Sequence, residues 1–341
     1  MKFKHTFEIA SRPIGGDAPV FIIAEAGVAH FGDMDLARQL VDLAADGGAD
    51  AFKTQFFDVE ALISNRSQEW QDRLRPRNLT LEQAAELKDR CDSKGLIFMA
   101  TAHDETRIPW LEELDVPAVK VGSGERNNLP FLSRLAKLGK PMIISTGMSS
   151  MSDVEEVIST CADADNDRLA LLHCVTSYPT PNEDVNLAAM DRLRDVYDGP
   201  VGYSDHTVDD LAVYLAVARG AKIIEKHITI LRDIPNAQDW KVSADPTTLR
   251  PMVDNIRRAE QMIGHGRKEA APCEQPGIAW ALKSLVAAKD FPAGHTLSES
   301  DLLAKRPGDG ISPNRIDTLI GRTLAHNVAA DDLILEKDLL P

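Results

Sequence analysis

Residues 201–227 read VGYSDHTVDDLAVYLAVARGAKIIEKH and contain the repeating unit that decides the fold. A short apolar run at 201–203 precedes a stretch of helical periodicity at 208–219, and a second apolar run follows at 222–225. Strand–helix–strand units of this kind are typical of parallel β-sheets, because each helix carries the chain back to the start of the next strand. The same alternation continues outward from this unit along most of the chain.

Eight apolar runs alternate with eight helical stretches between residues 20 and 263. The predicted strands cover residues 20–24, 51–54, 96–100, 118–121, 142–145, 169–173, 201–203 and 222–225. The predicted helices cover residues 34–45, 81–93, 105–114, 129–138, 152–161, 187–196, 208–219 and 247–263. Eight βα units predict an α/β fold with a closed (β/α)8 barrel, the TIM barrel. The alternative is a doubly wound open sheet, which leaves two edge strands to protect.

Polar residues stand at nearly every predicted strand end. They are Glu25, Lys53, Gln55, Thr101, Lys120, Ser123, Glu125, Ser145, Thr176, Tyr178, Ser204, Asp205, His206, Glu225 and His227. Helix capping accounts for a single serine or threonine after a strand. It does not account for the ionisable groups, which need partners or ligands when they are buried. Because the strand ends of a barrel converge on one face, we expect a functional site there.

Composition narrows the classes of function. The 341 residues include 38 Lys plus Arg and 53 Asp plus Glu, for a formal net charge of −15. This balance disfavours binding to a nucleic-acid backbone, which needs a basic surface. A small anionic substrate remains compatible, since a few cations can be focused in one cleft.

The expected location is the cytoplasm. The first residues lack the apolar run of a secretory signal, and no stretch approaches the length of a membrane span. The four cysteines are widely spread without a Cys-x-x-Cys spacing, so we expect them to be reduced thiols.

The local composition of the chain predicts two domains joined by a linker. Residues 1–268 form the predicted barrel domain, the polar, proline-containing residues 269–280 a linker, and residues 281–341 a small β-rich domain. Within the last segment, residues 291–302 resemble residues 328–339, which predicts a small pseudo-symmetric β unit. A domain of about 60 residues is near the lower size limit for folding alone, so we expect it to dock on the barrel or on a partner subunit.

Two histidines, His206 and His227, end the seventh and eighth predicted strands. Neutral imidazoles at adjacent strand ends, with a carboxylate nearby, suit a divalent metal ion that keeps positions open for water and substrate. The alternative is that both are hydrogen-bonded structural histidines. Glu25 and Glu125 are candidate acid–base groups, provided that the site raises their pKa.

Lys53, Lys120 and Arg306 are candidates for holding an anion, together with nearby serine hydroxyls and glycine N–H groups. Lys53 has a second interpretation as a Schiff-base lysine, since the pKa of a lysine inside a barrel can be lowered. Surface ion pairing is the alternative for all three. No Walker loop, dinucleotide fingerprint or Ser-His-Asp order is evident, which disfavours hydride transfer and nucleotide hydrolysis.

Several motifs in one order carry a resemblance to a known family. They are FIIAEAG at 21–27, KTQ at 53–55, KVGSGE at 120–125, STGM at 145–148, YPTP at 178–181, GYSDHT at 202–207 and EKH at 225–227. These motifs resemble those of the sialic acid synthases, which make nonulosonic acids from phosphoenolpyruvate and an N-acylated hexosamine. The resemblance covers essentially the whole chain, and KRPGDG at 305–310 is similar to part of the family's C-terminal antifreeze-like (SAF, β-clip) domain.

The resemblance implies roles for the residues that match. It implies that His206 and His227 bind Mn²⁺, with Mg²⁺ or Co²⁺ as alternatives. The residues that it assigns to binding phosphoenolpyruvate are Lys53, Lys120, Ser123, Ser145 and Ser204. Those that it assigns to the sugar are Gln55, Tyr178 and Asp239. The acidic site residues that it implies are Glu25, Glu125 and Glu225. Thr101, Thr176 and Asp205 complete the predicted substrate-binding set. Arg306 matches an arginine presented to the neighbouring subunit's barrel, which implies a domain-swapped homodimer.

The implied reaction joins phosphoenolpyruvate to N-acetylmannosamine or a related 2,4-diacetamido sugar, with release of phosphate. Three segments depart from the family's usual motifs: AHFG at 29–32 stands for Asn-His-Asn-Gly, TAH at 101–103 stands for Thr-Pro-Phe, and residues 64–78 match no motif. The resemblance implies that these loops lie where the sugar sits, so a legionaminate-type product is a competing expectation. GSG at 122–124 argues against the pseudaminate subgroup. Two further hypotheses are a pyruvate aldolase of the same architecture and a non-catalytic sugar-binding protein.

Overall fold

The computed structural model describes residues 2–234, 237 and 239–341. The chain forms two compact units, the first ending at Gly264 and the second running from His265 to Pro341. Among the described residues, no helix combines the length and apolar character that crossing a membrane requires. All four cysteines are free thiols, and only Cys273 is exposed.

The first unit is a closed barrel of parallel strands preceded by a β-hairpin. The hairpin consists of β1 (Thr6–Ile9) and β2 (Arg12–Gly15). The barrel strands are β3 (Phe21–Gly27), β4 (Ala51–Phe56), β5 (Ile97–Ala102), β6 (Val119–Val121), β7 (Met142–Ser145), β8 (Leu169–His173), β9 (Val201–Asp205) and β10 (Ile223–His227). Strand β10 pairs with β3, with His227 opposite Glu25, and closes the sheet. The predicted barrel is confirmed and the open-sheet alternative is wrong.

Helices surround the barrel and connect its strands. They are α1 (Met34–Asp46), α2 (Val59–Leu62), α3 (Gln68–Leu74), α4 (Leu81–Ser93), α5 (Ile108–Glu113), α6 (Leu129–Ala136), α7 (Met151–Asp163), α8 (Ala189–Val196), α9 (Leu211–Ala218) and α10 (Leu249–Ile263). Their starts follow ordinary capping chemistry: the Asp33 carboxylate accepts the first free N–H groups of α1, and Thr80 forms a capping box on α4. The helices α2 and α3 form an insertion after β4 that the sequence pattern does not predict.

Side chains alternate between the inside and the outside of the barrel along each strand. In β3, Phe21 and Ile23 pack with the interior cluster, whereas Ile22 and Ala24 pack under the helices. The hairpin closes the N-terminal end of the interior with Phe7, Ile9 and Ile14. The interior positions that remain open therefore lie at the C-terminal ends of the strands.

The second unit contains α11 (Gln275–Ala281) and the antiparallel strands β11 (Ser284–Ala287) and β12 (Leu302–Lys305) around its own small core. Residues 269–280, the predicted linker, include the 3₁₀ turn Pro272–Glu274 and most of α11.

The predicted internal repeat is visible in the second unit as two similar turns. Asp301 accepts a hydrogen bond from the Ser298 N–H, and Asp338 accepts one from the Leu335 N–H, at the same distance along the two repeats. The repeats also pair with each other through Phe291 and Val328. The second unit matches the predicted small β-rich domain.

Candidate active site

A cavity of about 180 Å³, here called the inner cavity, lies at the C-terminal ends of the barrel strands. The predicted site residues that line it are Glu25, Lys53, Gln55, Thr101, Lys120, Ser123, Ser145, Thr176, Tyr178, Ser204, His206, Glu225, His227 and Asp239. Because eight strands contribute to one opening, residues as distant in sequence as Glu25 and His227 meet there. Of the predicted site residues within the barrel unit, Glu125 and Asp205 do not line it, and Arg306 belongs to the second unit.

A buried ion network forms the floor of the inner cavity. Lys53 Nζ lies 2.5 Å from Glu25 Oε2 and 3.3 Å from Glu225 Oε2. Glu225 also lies 3.4 Å from Lys120 Nζ and accepts a hydrogen bond from Ser204 Oγ at 2.9 Å. Burial alone would lower the pKa of Lys53, but the charges of Glu225 and Glu25 outweigh it and raise that pKa. Burial opposes ionisation of Glu225 as well, and the two lysines overcome it and lower its pKa.

Lys120 shares Glu225 with Lys53, and it donates to Ser145 Oγ at 2.7 Å and to the Val121 carbonyl at 3.1 Å. Burial lowers the pKa of Lys120; Glu225 opposes this shift and the nearby charge of Lys53 adds to it. An anion bound between the two ammonium groups would offset the cost of burying the two cations and would reduce the repulsion between them. The floor is therefore suited to a small ligand with more than one negative charge.

The hydroxyl of Ser123 is held by close packing against Gly147 and Cys174, at the edge of the inner cavity. It accepts a hydrogen bond from the Gly147 N–H at 2.9 Å and lies 3.1 Å from Cys174 Sγ. A Cβ added at Gly147 would stand 2.3 Å from Thr176 Oγ1 and 2.7 Å from Ser123 Oγ. Only glycine leaves room for both hydroxyls, so this close packing keeps two hydroxyl groups directed at the cavity.

The two predicted metal ligands, His206 and His227, lie side by side with ring centroids 5.4 Å apart. His206 Nδ1 is 2.7 Å from the Val175 carbonyl, which can only accept, so Nδ1 carries the proton and Nε2 is left with its lone pair. Burial, followed by the charge of His227, lowers the pKa of His206 to about 4, which keeps the ring neutral. The pair fits a divalent ion.

Two histidines would fill only part of the coordination sphere of such an ion. Within residues 2–234, 237 and 239–341, no group of three or more His, Cys, Asp or Glu side chains is placed to hold a metal. The remaining positions would fall to water and substrate, as in catalytic rather than structural sites.

A second, larger cavity of about 340 Å³, here called the outer cavity, adjoins the inner one and shares Gln55, Tyr178 and Asp239 with it. Its wall is built mainly by the insertion after β4 and by the loops after β3 and β10. The side chains that it adds include Phe31, Trp70, Arg73, Leu74, Arg77 and Trp240. All of these except Trp240 belong to the departing segments 29–32 and 64–78, although no single residue of the six was a predicted site residue.

In the loop after β3, His30 is buried, and its Nδ1 accepts a hydrogen bond from the Gly32 N–H at 3.1 Å. Burial, and then the charge of Arg77, lower the pKa of His30 from 6.5 to about 4. In the unfolded chain the ring takes up a proton near pH 6.5, whereas the folded protein resists protonation down to about pH 4. The stability contributed by a neutral His30 is therefore complete above pH 6.5 and is lost as the pH falls towards 4.

The free energy of unfolding is expected to fall with decreasing pH below 6.5, with His30 contributing up to about 1.4 kcal/mol per pH unit. Urea unfolding at pH 7 and pH 5 measures this slope. His30→Asn keeps an acceptor for Gly32 and should flatten the slope by about one proton. An unchanged slope in that variant would show that His30 does not carry the effect.

Glu125 lies in a pocket next to the inner cavity, and the two spaces share His103 and Gly124. Its carboxylate accepts a hydrogen bond from Asn128 Nδ2 at 3.0 Å. Burial raises the pKa of Glu125, in the direction that an acid–base role needs. That role stays a prediction, because the carboxylate does not line the inner cavity.

The prediction that Asp205 binds substrate is wrong, because its side chain faces away from the inner cavity. Its neighbour Ser204 points inward, and the alternation of β9 turns Asp205 outward. There its carboxylate binds Lys226 Nζ at 2.5 Å and Tyr203 OH at 2.9 Å, and it also accepts from Thr207. Arg306 belongs to the second unit, where it is exposed with its guanidinium 5.6 Å from the Trp280 ring centroid.

His103 lines the inner cavity but was not among the predicted site residues, although it belongs to the departing segment at 101–103. It follows β5 directly. Enclosure, together with the charges of Lys53 and Lys120, lowers the pKa of His103 to about 4, so the ring is neutral. Its position at a strand end was the signal that could have identified it.

Residues 40–268 match the NeuB family and residues 283–340 match the SAF domain. The chain belongs to the NeuB family. An N,N'-diacetyllegionaminic acid synthase from Legionella pneumophila is 39% identical over 95% of this chain and 96% of the relative. The human N-acetylneuraminate-9-phosphate synthase is 34% identical over 96% and 95% of the two chains.

A solved structure supports the same relationship. The N-acetylneuraminic acid synthetase of Leptospira borgpetersenii is 36% identical, with a TM-score of 0.76 over 81% of this chain and 96% of that one. The predicted resemblance to the sialic acid synthases, the SAF domain and the assignment of this NeuB-family chain as an enzyme are confirmed.

Proposed function

We propose that this NeuB-family enzyme condenses phosphoenolpyruvate with an N-acylated hexosamine and water to give a nonulosonic acid and phosphate. The observation that carries the proposal is the pair of joined cavities. The inner one places two buried lysines and several hydroxyls around a small space, and the outer one offers a larger space that opens from Gln55, Tyr178 and Asp239. A small polyanion and a sugar are the two ligands that these spaces suit, and relatives of this chain are named as synthases of legionaminic and neuraminic acids.

Phosphoenolpyruvate is assigned to the inner cavity because of its charges. Lys53 and Lys120 neutralise its phosphate and carboxylate, while Ser145 and Ser204 offer hydroxyl groups next to them. Glu25 and Glu225 hold the lysines in place and keep Lys53 protonated. Contacts of this kind are present in both the ground state and the transition state, so they govern KM as well as kcat.

The bond-forming steps take place where the two cavities meet. The methylene carbon of phosphoenolpyruvate attacks the aldehyde carbon of the open-chain sugar, which Gln55, Tyr178 and Asp239 orient. Water then adds to the cationic carbon that bears the phosphate oxygen, and the tetrahedral intermediate expels phosphate. Glu125, whose pKa is raised by burial, is the proposed acid–base group for this water.

His206 and His227 would hold a divalent ion, with Mn²⁺ as the proposed species. When bound, such an ion supplies Lewis-acid polarisation of an oxygen ligand and a fixed template for orientation. The proton on His206 Nδ1 is held by the Val175 carbonyl, so the protein presents Nε2 in the form that a metal requires.

The aldolase hypothesis requires Lys53 as an uncharged nucleophile. Its ammonium group lies within 3.3 Å of two carboxylates, and they raise its pKa. Imine formation needs the free amine, which this environment suppresses. The geometry therefore favours an anion-binding role for Lys53 over a Schiff base.

The proposal includes the domain-swapped homodimer in which Arg306 serves the barrel of the partner subunit. Its support is the resemblance of KRPGDG at 305–310 to the family's SAF domain, together with the exposure of the Arg306 side chain. An exposed guanidinium is available to bind a carboxylate or phosphate presented by another surface.

The experiment that tests the function measures phosphate release from phosphoenolpyruvate in the presence of Mn²⁺ and a panel of N-acyl hexosamines, with the product followed by mass spectrometry. The expected result is release that depends on one sugar and yields one nonulosonic acid per phosphate. Reversible cleavage without phosphate release would favour the aldolase, and binding of sugars without turnover would favour the binding protein.

Removal of the metal is expected to abolish this turnover. Protein stripped with EDTA should bind about one Mn²⁺ per chain, followed by electron paramagnetic resonance, and His227→Ala should lose that binding by taking away one of two protein ligands. The exposed His5, outside the site, provides the control variant His5→Ala. Full Mn²⁺ binding by His227→Ala would contradict the assignment of the ligand pair.

A further inference from the structure

The outer cavity contains two arginines, Arg73 and Arg77, here called the arginine pair. Both come from the insertion after β4, the segment that matches no family motif. Among the described residues, no carboxylate oxygen lies within 4.0 Å of either guanidinium, whereas Arg75 between them pairs with Glu60. In a chain with fifteen more acidic than basic side chains, two arginines without such a partner in one cavity are an unusual arrangement.

The cavity wall offers more hydrogen-bond donors than acceptors. Trp240, which also lines it, has a buried indole N–H without a hydrogen-bond partner in the described part of the chain. Asp239 is the one acidic side chain among the described lining residues. Arg77 is half-buried, and burial followed by the charge of Arg73 lowers its pKa. Arg73 is exposed, but its charge repels that of the half-buried Arg77, and a bound anion would compensate both charges.

The arginine pair is held by packing rather than left on a loose loop. Leu74 packs against a small cluster formed by Val28, Phe57 and Val59. The backbone of Pro76 passes so close to Gly32 that a Cβ there would stand 1.9 Å from the Pro76 carbonyl oxygen. The Arg77 guanidinium lies 4.7 Å from the centre of the Phe31 ring. A guanidinium fixed in this way loses little freedom when it binds a ligand.

We propose that the outer cavity binds a phosphate monoester carried by the acceptor sugar, with Arg73 and Arg77 as its binding residues. This inference rests on the proposed function, since it names the class of acceptor for the same site. The sugar places its aldehyde end at the junction marked by Gln55, Tyr178 and Asp239, and its far end at the arginine pair. Guanidinium groups match phosphate oxygens in bidentate geometry, and the exposed Trp70 ring offers an apolar face to the sugar chain.

The test compares N-acetylmannosamine 6-phosphate with N-acetylmannosamine and a neutral 2,4-diacetamido hexose, at saturating phosphoenolpyruvate and Mn²⁺. We expect kcat/KM for the phosphorylated sugar to exceed that for the neutral sugars by about 100-fold. Arg77→Gln should lower it by about 100-fold and Arg73→Gln by about 10-fold, with changes below about 3-fold for the neutral sugars. Arg66→Gln, an exposed arginine of the same insertion outside the outer cavity, is the matched control.

A preference for a neutral sugar, or variants that affect all sugars equally, would overturn the inference. Calorimetric titration of the phosphorylated sugar, without phosphoenolpyruvate, separates this inference from the proposed function. If no sugar supports phosphate release but Arg77→Gln abolishes binding of the phosphorylated sugar, the synthase proposal fails and the arginine pair stands. If wild-type protein does not bind the phosphorylated sugar, the arginine pair is not a phosphate site.

Discussion

Replacement of Lys120 by methionine is expected to lower kcat/KM for phosphoenolpyruvate by about 1000-fold. Lys120 is buried, donates to Ser145 at 2.7 Å and stands 3.4 Å from Glu225. Methionine preserves much of the volume but removes the charge that would meet the phosphate or carboxylate. It also leaves Glu225 with Lys53 as its remaining cation, so an incoming anion meets a more negative floor.

Both kinetic constants should change, because the lysine binds the ground state and the transition state alike. Initial rates of phosphate release over a range of phosphoenolpyruvate concentrations separate the rise in KM from the fall in kcat. Lys140→Met is the control, since Lys140 forms an ion pair with the exposed Asp115 on the surface. Circular dichroism confirms that each variant is folded. A folded Lys120→Met protein with kcat/KM within about 3-fold of wild type would remove Lys120 from the site.

The barrel was predictable because its signal is periodic and repeated eight times. Each apolar run is bounded by polar residues. The C-terminal ends of the strands converge because the barrel closes, independently of the sequences of the loops. Lys53, Lys120 and Glu225 could be assigned to one site for this reason. A buried ionisable residue at a strand end needs a partner or a ligand to compensate its charge, and the site at the strand ends provides one.

The outer cavity was not predictable by the same logic. Trp70, Arg73 and Arg77 belong to an insertion whose helices are short and whose position depends on packing against the loop at residues 28–32. No periodicity in the sequence indicates which side of such an insertion faces a cavity. The hairpin β1–β2 was not predicted either, because two four-residue strands have too few positions to show an alternating apolar pattern.

Asp205 was assigned to the site from its place at a strand end, but the register of β9 decides otherwise. Ser204, Glu225 and His227 occupy alternate positions that face the interior, so Asp205 and Lys226 both face the helices. The period of two could have separated these sets before the structure was known. Strand-end position predicts nearness to the site, and only the alternation predicts which neighbours enter it.

Asp205→Ala is expected to lower the free energy of unfolding by about 3–5 kcal/mol, because it leaves Lys226 charged and buried without its carboxylate. Lys226 Nζ would retain the carbonyls of Thr207 and Asp209, at 3.0 and 3.2 Å, which cannot neutralise an ammonium group. Urea unfolding at pH 7 measures the loss. A substrate-binding Asp205 would behave differently, with a raised KM and nearly unchanged stability.

The double variant Asp205→Ala/Lys226→Met distinguishes the two roles further. Removing both charges of a buried pair costs much less than stranding one, so the double variant should recover most of the stability lost in Asp205→Ala. Recovery is expected even though Tyr203 loses its acceptor, since a phenol is cheaper to leave unpaired than an ammonium ion. If Asp205→Ala alone is within about 1 kcal/mol of wild type, or the second substitution adds to the loss, the ion pair behind the strands does not hold this part of the barrel together.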